Sequence, residues 1–141
     1  MGLPLGSREL ADECIRKQDA DPLFSEKIKG LSAKLLMVAN DCPGNEDRQM
    51  AIDIENGRIL EILIEKKPAP SDLRTAPFDR TKYQFRVQAP QQIYIDMING
   101  KMNMLEVMPL VKIDGDFAQL MSKAAGFMAF IEFLQSMDIV P

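Results

Sequence analysis

Histidine is absent from all 141 residues, and this removes Ser-His and Cys-His nucleophile pairs, the usual imidazole general base and most zinc sites. The common hydrolase designs go with it. Neither G-x-G-x-x-G nor G-x-x-x-x-G-K-[ST] occurs; Gly100-Lys101 has neither the upstream glycine nor the following hydroxyl of a phosphate loop. Hydrolase chemistry is therefore weighed against, and nucleotide chemistry has no support. No Lys/Arg block exceeds two residues, and 17 basic residues against 21 acidic ones leave a net charge of -4. Nucleic acid is therefore not an expected partner.

Cysteine is nearly absent too. Cys14 and Cys42 permit a disulfide but nothing demands one, so reduced thiols that behave as small hydrophobes are expected. The first residues lack the basic flank and long apolar stretch of a secretory signal, and Gly6 stands where myristoylation needs Ser or Thr. The carboxyl end is not a peroxisomal address. A prokaryotic cytoplasm is the expected location. The longest apolar run, residues 124–131, is far short of the roughly 20 residues that span a bilayer. There is no internal repeat and no low-complexity tract.

What remains is an ordinary globular composition, 46% apolar and 27% charged, enough for one domain over residues 1–141 that buries about two-thirds of its unfolded surface. Residues 1–45 read as N-terminal helices. Ser7 caps a first helix with Leu10, Ala11, Cys14 and Ile15 on one stripe; Asp21-Pro22 opens a second, along which Phe24, Ile28, Leu31, Leu35 and Val38 recur at helical spacing. Residues 46–123 carry a sheet and its helices. From Arg48 to Glu65 the period is two, and a three-residue loop of Glu55, Asn56 and Gly57 pairs Ile52 with Leu60 and Met50 with Ile62. A Pro-rich loop, 66–82, offers only Leu73 and Phe78 to tuck over a cavity mouth. Tyr83, Phe85 and Val87 then alternate with polar residues as a strand.

Residues 91–115 are the stretch around which the rest is organised. Ile93, Met97 and Ile98 share a helical face, Asn99-Gly100 ends that helix, and Asn103 with Glu106 forms a capping box for a helix of about one turn before Pro109. Met102, Met104, Leu105, Val107 and Met108 supply more apolar side chain than so short a helix needs for docking. Methionine is flexible and polarizable, suited to gripping a variable apolar guest; it also fills irregular cores. Asp116 and Gln119 repeat the capping pattern and open a final helix, and residues 116–141 form a C-terminal apolar segment. Its run AAGFMAFI covers every helical face, and its burial has three possible destinations: protein core, a lipid guest or a partner subunit. Glu132, beside this run, reads either as a wet-edge residue or as a proton donor or headgroup anchor. Lys101 reads either as a solvated turn lysine or as a cation near an acidic lipid head.

The segment Asn99-Gly100-Lys101-Met102, then Leu110-Val111-Lys112-Ile113-Asp114-Gly115-Asp116 and Leu120-Met121, resembles the sterol carrier protein (type 2) lipid-binding family, over residues 49–123. Pro109-Leu110-Val111 stands where that family often has Gly-Lys, so a headgroup contact through that lysine is not carried over. The resemblance implies a carrier that is not an enzyme and uses no cofactor and no metal, holding a sterol-like lipid, fatty acid or acyl-CoA in an apolar tunnel between sheet and helices. The fold class expected from pattern and resemblance together is α+β: one mainly antiparallel sheet of about five strands, near 48–55, 58–65, 83–88 and 110–113, covered by helices. Ile93, Met97, Ile98, Met102, Met104, Leu105, Met108, Phe117, Leu120, Met121, Phe127 and Phe130 are the candidate ligand-binding residues. A hydrophobic small molecule is the expected partner, with transient membrane contact and a homodimer as further possibilities; the alternative function is a homodimeric interaction module or an accessory domain that presents an acyl substrate to an enzyme.

Overall fold

The computed structural model describes residues 2–141. A short strand β1 (Leu3–Pro4) leads to α1 (Arg8–Ala20), capped by the Ser7 hydroxyl, which accepts from the Leu10 N–H at 3.1 Å. Asp21 caps α2 (Pro22–Lys27), with Pro22 at the first position, where its missing N–H costs nothing.

The second helix stops there, against the expectation that it continues to Val38. Gly30 takes a φ of 89° and the chain becomes β2 (Ala33–Cys42). This strand lies at the centre of the sheet, with Leu35 and Ala39 buried on one face and Leu36 and Val38 on the other. A strand buried on both faces shows no period of two, so its apolar run reads as well for helix. Residues 1–45 are therefore not helical throughout.

β3 (Glu46–Glu55) and β4 (Arg58–Pro68) follow as a hairpin, then β5 (Phe85–Pro90), α3 (Gln91–Ile98), α4 (Met104–Val107), a 3-10 turn (Met108–Leu110), β6 (Lys112–Gly115), α5 (Phe117–Ser122), α6 (Ala124–Gln135) and β7 (Ile139–Val140). The five-stranded sheet has the order β4-β3-β2-β5-β6. It is mixed: β2 and β5 run parallel while the other neighbours are antiparallel. β1 and β7 pair separately, Leu3 with Ile139, and tie the two ends of the described chain together.

The hairpin also corrects the expected register. Asn56 and Gly57 form a two-residue turn, both with positive φ (49° and 80°), the geometry that matches strand twist. Ile54 faces Ile59, Asp53 faces Glu61, and Leu60 is left over as a bulge, exposed to solvent. The bulge returns the strands to phase, so Ile52 faces Ile62 and Met50 faces Ile64. Gly57 is required twice over, since a Cβ there would stand 2.9 Å from the carbonyl oxygens of Ser25 and Ile28.

The loop after β4 does not approach a cavity mouth. Its 3-10 turn (Asp72–Arg74) lies against β2 and β3 with Leu73 buried. Asp47, with no solvent exposure, holds it there by accepting from Ser71 N and Oγ at 2.9 and 2.6 Å and from Arg74 Nε and Nη2 at 2.8 Å each. Arg86 secures the next part, donating to Ala76 O at 2.5 Å and to Asp114 Oδ2 at 2.9 Å, beneath Phe78. Arg86 alternates with Phe85 and Val87, so the loop covers the sheet face opposite to theirs.

A candidate ligand cavity

Helices α3, α4, α5 and α6 face the inner side of β2, β5 and β6 across a cavity of about 330 Å³. The local chemistry of each helix end puts the walls in place. Asn99 and Gly100 (φ 76°) end α3, and the Lys101 and Met102 N–H groups both reach back to Asp96 O. The capping box then starts α4 at once: Asn103 Oδ1 accepts from Glu106 N at 2.9 Å, and Glu106 Oε1 accepts from Asn103 N at 3.3 Å. Asp116 Oδ1 accepts from Ala118 N and Gln119 N at 2.9 and 3.2 Å and starts α5. The expected single final helix is broken at Lys123, whose Nζ is bonded to Ser32 O. Both helices contribute to the cavity wall on either side of the break.

The sequence-predicted residues converge on this space. Ile93, Met97 and Ile98 line it from α3, Met104, Leu105 and Met108 from α4 and the turn after it, Phe117, Leu120 and Met121 from α5, and Phe127 and Phe130 from α6. Met102 does not line it: the turn that holds it is strapped to the end of α3 by the bonds to Asp96. Glu132 and Lys101 are exposed and outside the lining.

Sequence reasoning missed the sheet's share. Leu35 and Met37 come from β2, which read as helix; Phe85, Val87 and Ile113 come from strands that were visible but not assigned to the cavity. The alternation of Phe85 and Val87 with polar neighbours was the available signal. Tyr94, Val107, Val111, Ala124, Ile131 and Leu134 complete the lining.

No lining group offers a free charge or hydrogen bond. Tyr94 carries the one polar side-chain atom among the lining residues, and its hydroxyl donates to Val87 O at 2.9 Å. Burial pushes its phenol well above the ordinary value, so it stays neutral. Phe85 and Phe127 meet edge to face with centroids 6.0 Å apart. On the other side of α6, Phe133 stacks on Phe24 of α2 at 3.8 Å. Within the apolar run of α6, Ala124, Phe127, Phe130 and Ile131 line the cavity, while Ala125 and Met128 are exposed to solvent. Among the described residues no helix is long and apolar enough to cross a membrane.

No family model and no curated protein matches the sequence. Solved structures do match the fold. A conserved hypothetical protein from Thermus thermophilus, described as possibly a sterol carrier protein, superposes with a TM-score of 0.74 at 14% identity, over 99% of this chain and 94% of that one. A crystal structure of sterol carrier protein 2 gives 0.74 at 14% identity, over 94% and 98%. The apo form of sterol carrier protein 2 from Yarrowia lipolytica gives 0.53 at 13%, over 87% and 84%. This chain is similar to all three in architecture and has the sterol carrier protein 2 fold.

Proposed function

We propose that the protein is a non-catalytic lipid carrier whose guest is a single acyl chain, held in the cavity between sheet and helices. The observation that supports this reading is the chemistry of the lining: it can bury hydrocarbon and has nothing with which to recognise a buried headgroup or polarise a reacting bond. At roughly 30 Å³ for each water-sized group, the cavity admits a chain of about ten carbons. Burying these is worth about 8 kcal/mol before ordering costs, which sets micromolar affinity as the upper limit for such a chain. The polar end of the guest lies outside, beyond the mouth.

Native mass spectrometry of freshly purified protein, with displacement of a fluorescent fatty acid by a series of saturated acids, tests the reading. A co-purifying acyl species is expected, with affinity that rises with chain length until the cavity is full and then levels off. Absence of any bound mass together with no displacement at any length overturns it.

A further inference from the structure

The cavity has an open end and a closed one. Its most exposed lining side chains, Leu105 at 83%, Phe117 at 54% and Met121 at 51%, belong to α4 and α5, the helices on either side of the edge strand β6 in the chain. From that edge the sheet wall passes from Ile113 of β6 to Phe85 and Val87 of β5 and then to Leu35 and Met37 of β2. It ends there. Ile52 and Met50 of β3 stand directly opposite Leu35 and Met37 in the ladder, on the same face, and both are buried, yet neither lines the cavity.

On that side of the sheet stands α2. It is seated on the β3–β4 turn, where the Ser25 and Ile28 carbonyl oxygens approach Gly57 so closely that a Cβ would lie 2.9 Å from each. Its Phe24 is buried and outside the lining; it stacks on Phe133 at 3.8 Å and meets Phe130 at 6.4 Å. Of these three rings, Phe130 alone borders the cavity. Guest space therefore lies on one side of Phe130 and packed aromatic core on the other. Phe127, one turn nearer the start of α6, is placed differently: it meets Phe85 of β5 edge to face, midway along the sheet wall.

We propose that the Phe130 ring is the end wall of the cavity and fixes the length of the guest, an acyl chain that enters methyl end first from the β6 edge and stops there. The inference rests on the acyl-chain reading of the site. The test is the affinity of the purified protein for saturated fatty acids of increasing length, read by displacement of a fluorescent fatty acid, with melting temperatures for every variant. Phe130→Leu removes about three carbons of wall and is expected to carry the length at which affinity levels off about two carbons further, because the surroundings close part of the space. Leu35→Phe adds a ring at the same end and is expected to bring the levelling-off to shorter chains by a similar amount. Phe127→Leu makes the same truncation in the side wall and is expected to weaken binding at every length without moving the levelling-off. A levelling-off that moves in neither Phe130→Leu nor Leu35→Phe, or that moves equally in Phe127→Leu and Phe130→Leu, overturns the end wall and leaves the acyl-chain reading in place. Wild type that binds no acid of any length overturns both.

Discussion

Gln18 stands in for a neighbouring strand beside Ile59: its Nε2 donates to the Ile59 carbonyl at 2.7 Å and its Oε1 accepts from the Ile59 N–H at 2.8 Å. β4 is an edge of the sheet, and this carboxamide, with Arg8 Nη1 on Ile62 O at 3.3 Å, occupies groups that would otherwise invite another strand. Replacing Gln18 by Leu leaves two buried backbone groups unpaired at about 1–3 kcal/mol each. The expected outcome is a loss of roughly 2–6 kcal/mol in urea unfolding with fatty-acid affinity intact, since Gln18 is not a cavity residue.

Asp47 gives a prediction in acid. The Arg74 guanidinium, and after it the Ser71 groups, hold its carboxyl well below the usual carboxylate range despite burial. Because the folded pKa lies below the unfolded one, this stabilisation is present above about pH 4 and is lost as pH falls further. Asp47→Asn is expected to lose stability at pH 7 and to show a flatter acid limb. Urea midpoints from pH 7 down to pH 3, compared with wild type, measure both.

Cys14 acts at the other end of the scale. Burial pushes its thiol up to about 12. An unfolded thiol ionises near pH 8.5, so above that pH the unfolded state sheds a proton that the folded state keeps, and stability falls by up to about 1.4 kcal/mol per pH unit. Cys14→Ala is expected to remove part of the alkaline decline between pH 8 and pH 11. In the native state Cys14 is expected to resist maleimide and to react once the chain unfolds.

Met104 and Phe130 face one cavity from two environments. Met104 is half-buried at the mouth side, whereas Phe130 is buried and packs 6.4 Å from both Phe24 and Phe133. Met104→Glu is expected to weaken fatty-acid binding at least tenfold, with a melting temperature close to wild type, because the carboxylate can reach water. Phe130→Glu is expected to cost several kcal/mol of stability as well. Unchanged binding in Met104→Glu with a collapsed melting temperature would assign Met104 to the core.

The helix ends were legible because their chemistry is local: Ser7, Asp21, Asn103 with Glu106, and Asp116 each bond within a few residues of themselves. The cavity's helical wall followed from the same stretches. β2 was not legible, since its burial on both faces is made by β3, β5 and the elements above and below, none of which its own sequence displays. The hairpin register failed for a related reason. Leu60 is apolar, and only the bulge opposite Ile54 and Asp53 explains why it points to solvent. Asp47 reads as one more charge on a strand until Ser71 and Arg74 are brought back to it across the loop.

The placement of β2 between an antiparallel and a parallel neighbour is expected to divide the time course of folding. β2, β3 and β4 are joined by short turns and can zip together at small loop-closure cost, while β5 reaches β2 only after the long loop closes, and α6 later still. The sheet side of the cavity thus joins β2, from the part of the chain expected to form first, to β5 and β6, which follow it together with the helical side. Amide protons of β2 and β3 should exchange on the slow, global scale, and those of α4 and α5 on a fast local one. A guest that fills the cavity should slow exchange chiefly in the late-forming half, because it supplies there the hydrocarbon contacts that β3 and β4 obtain from their own neighbours.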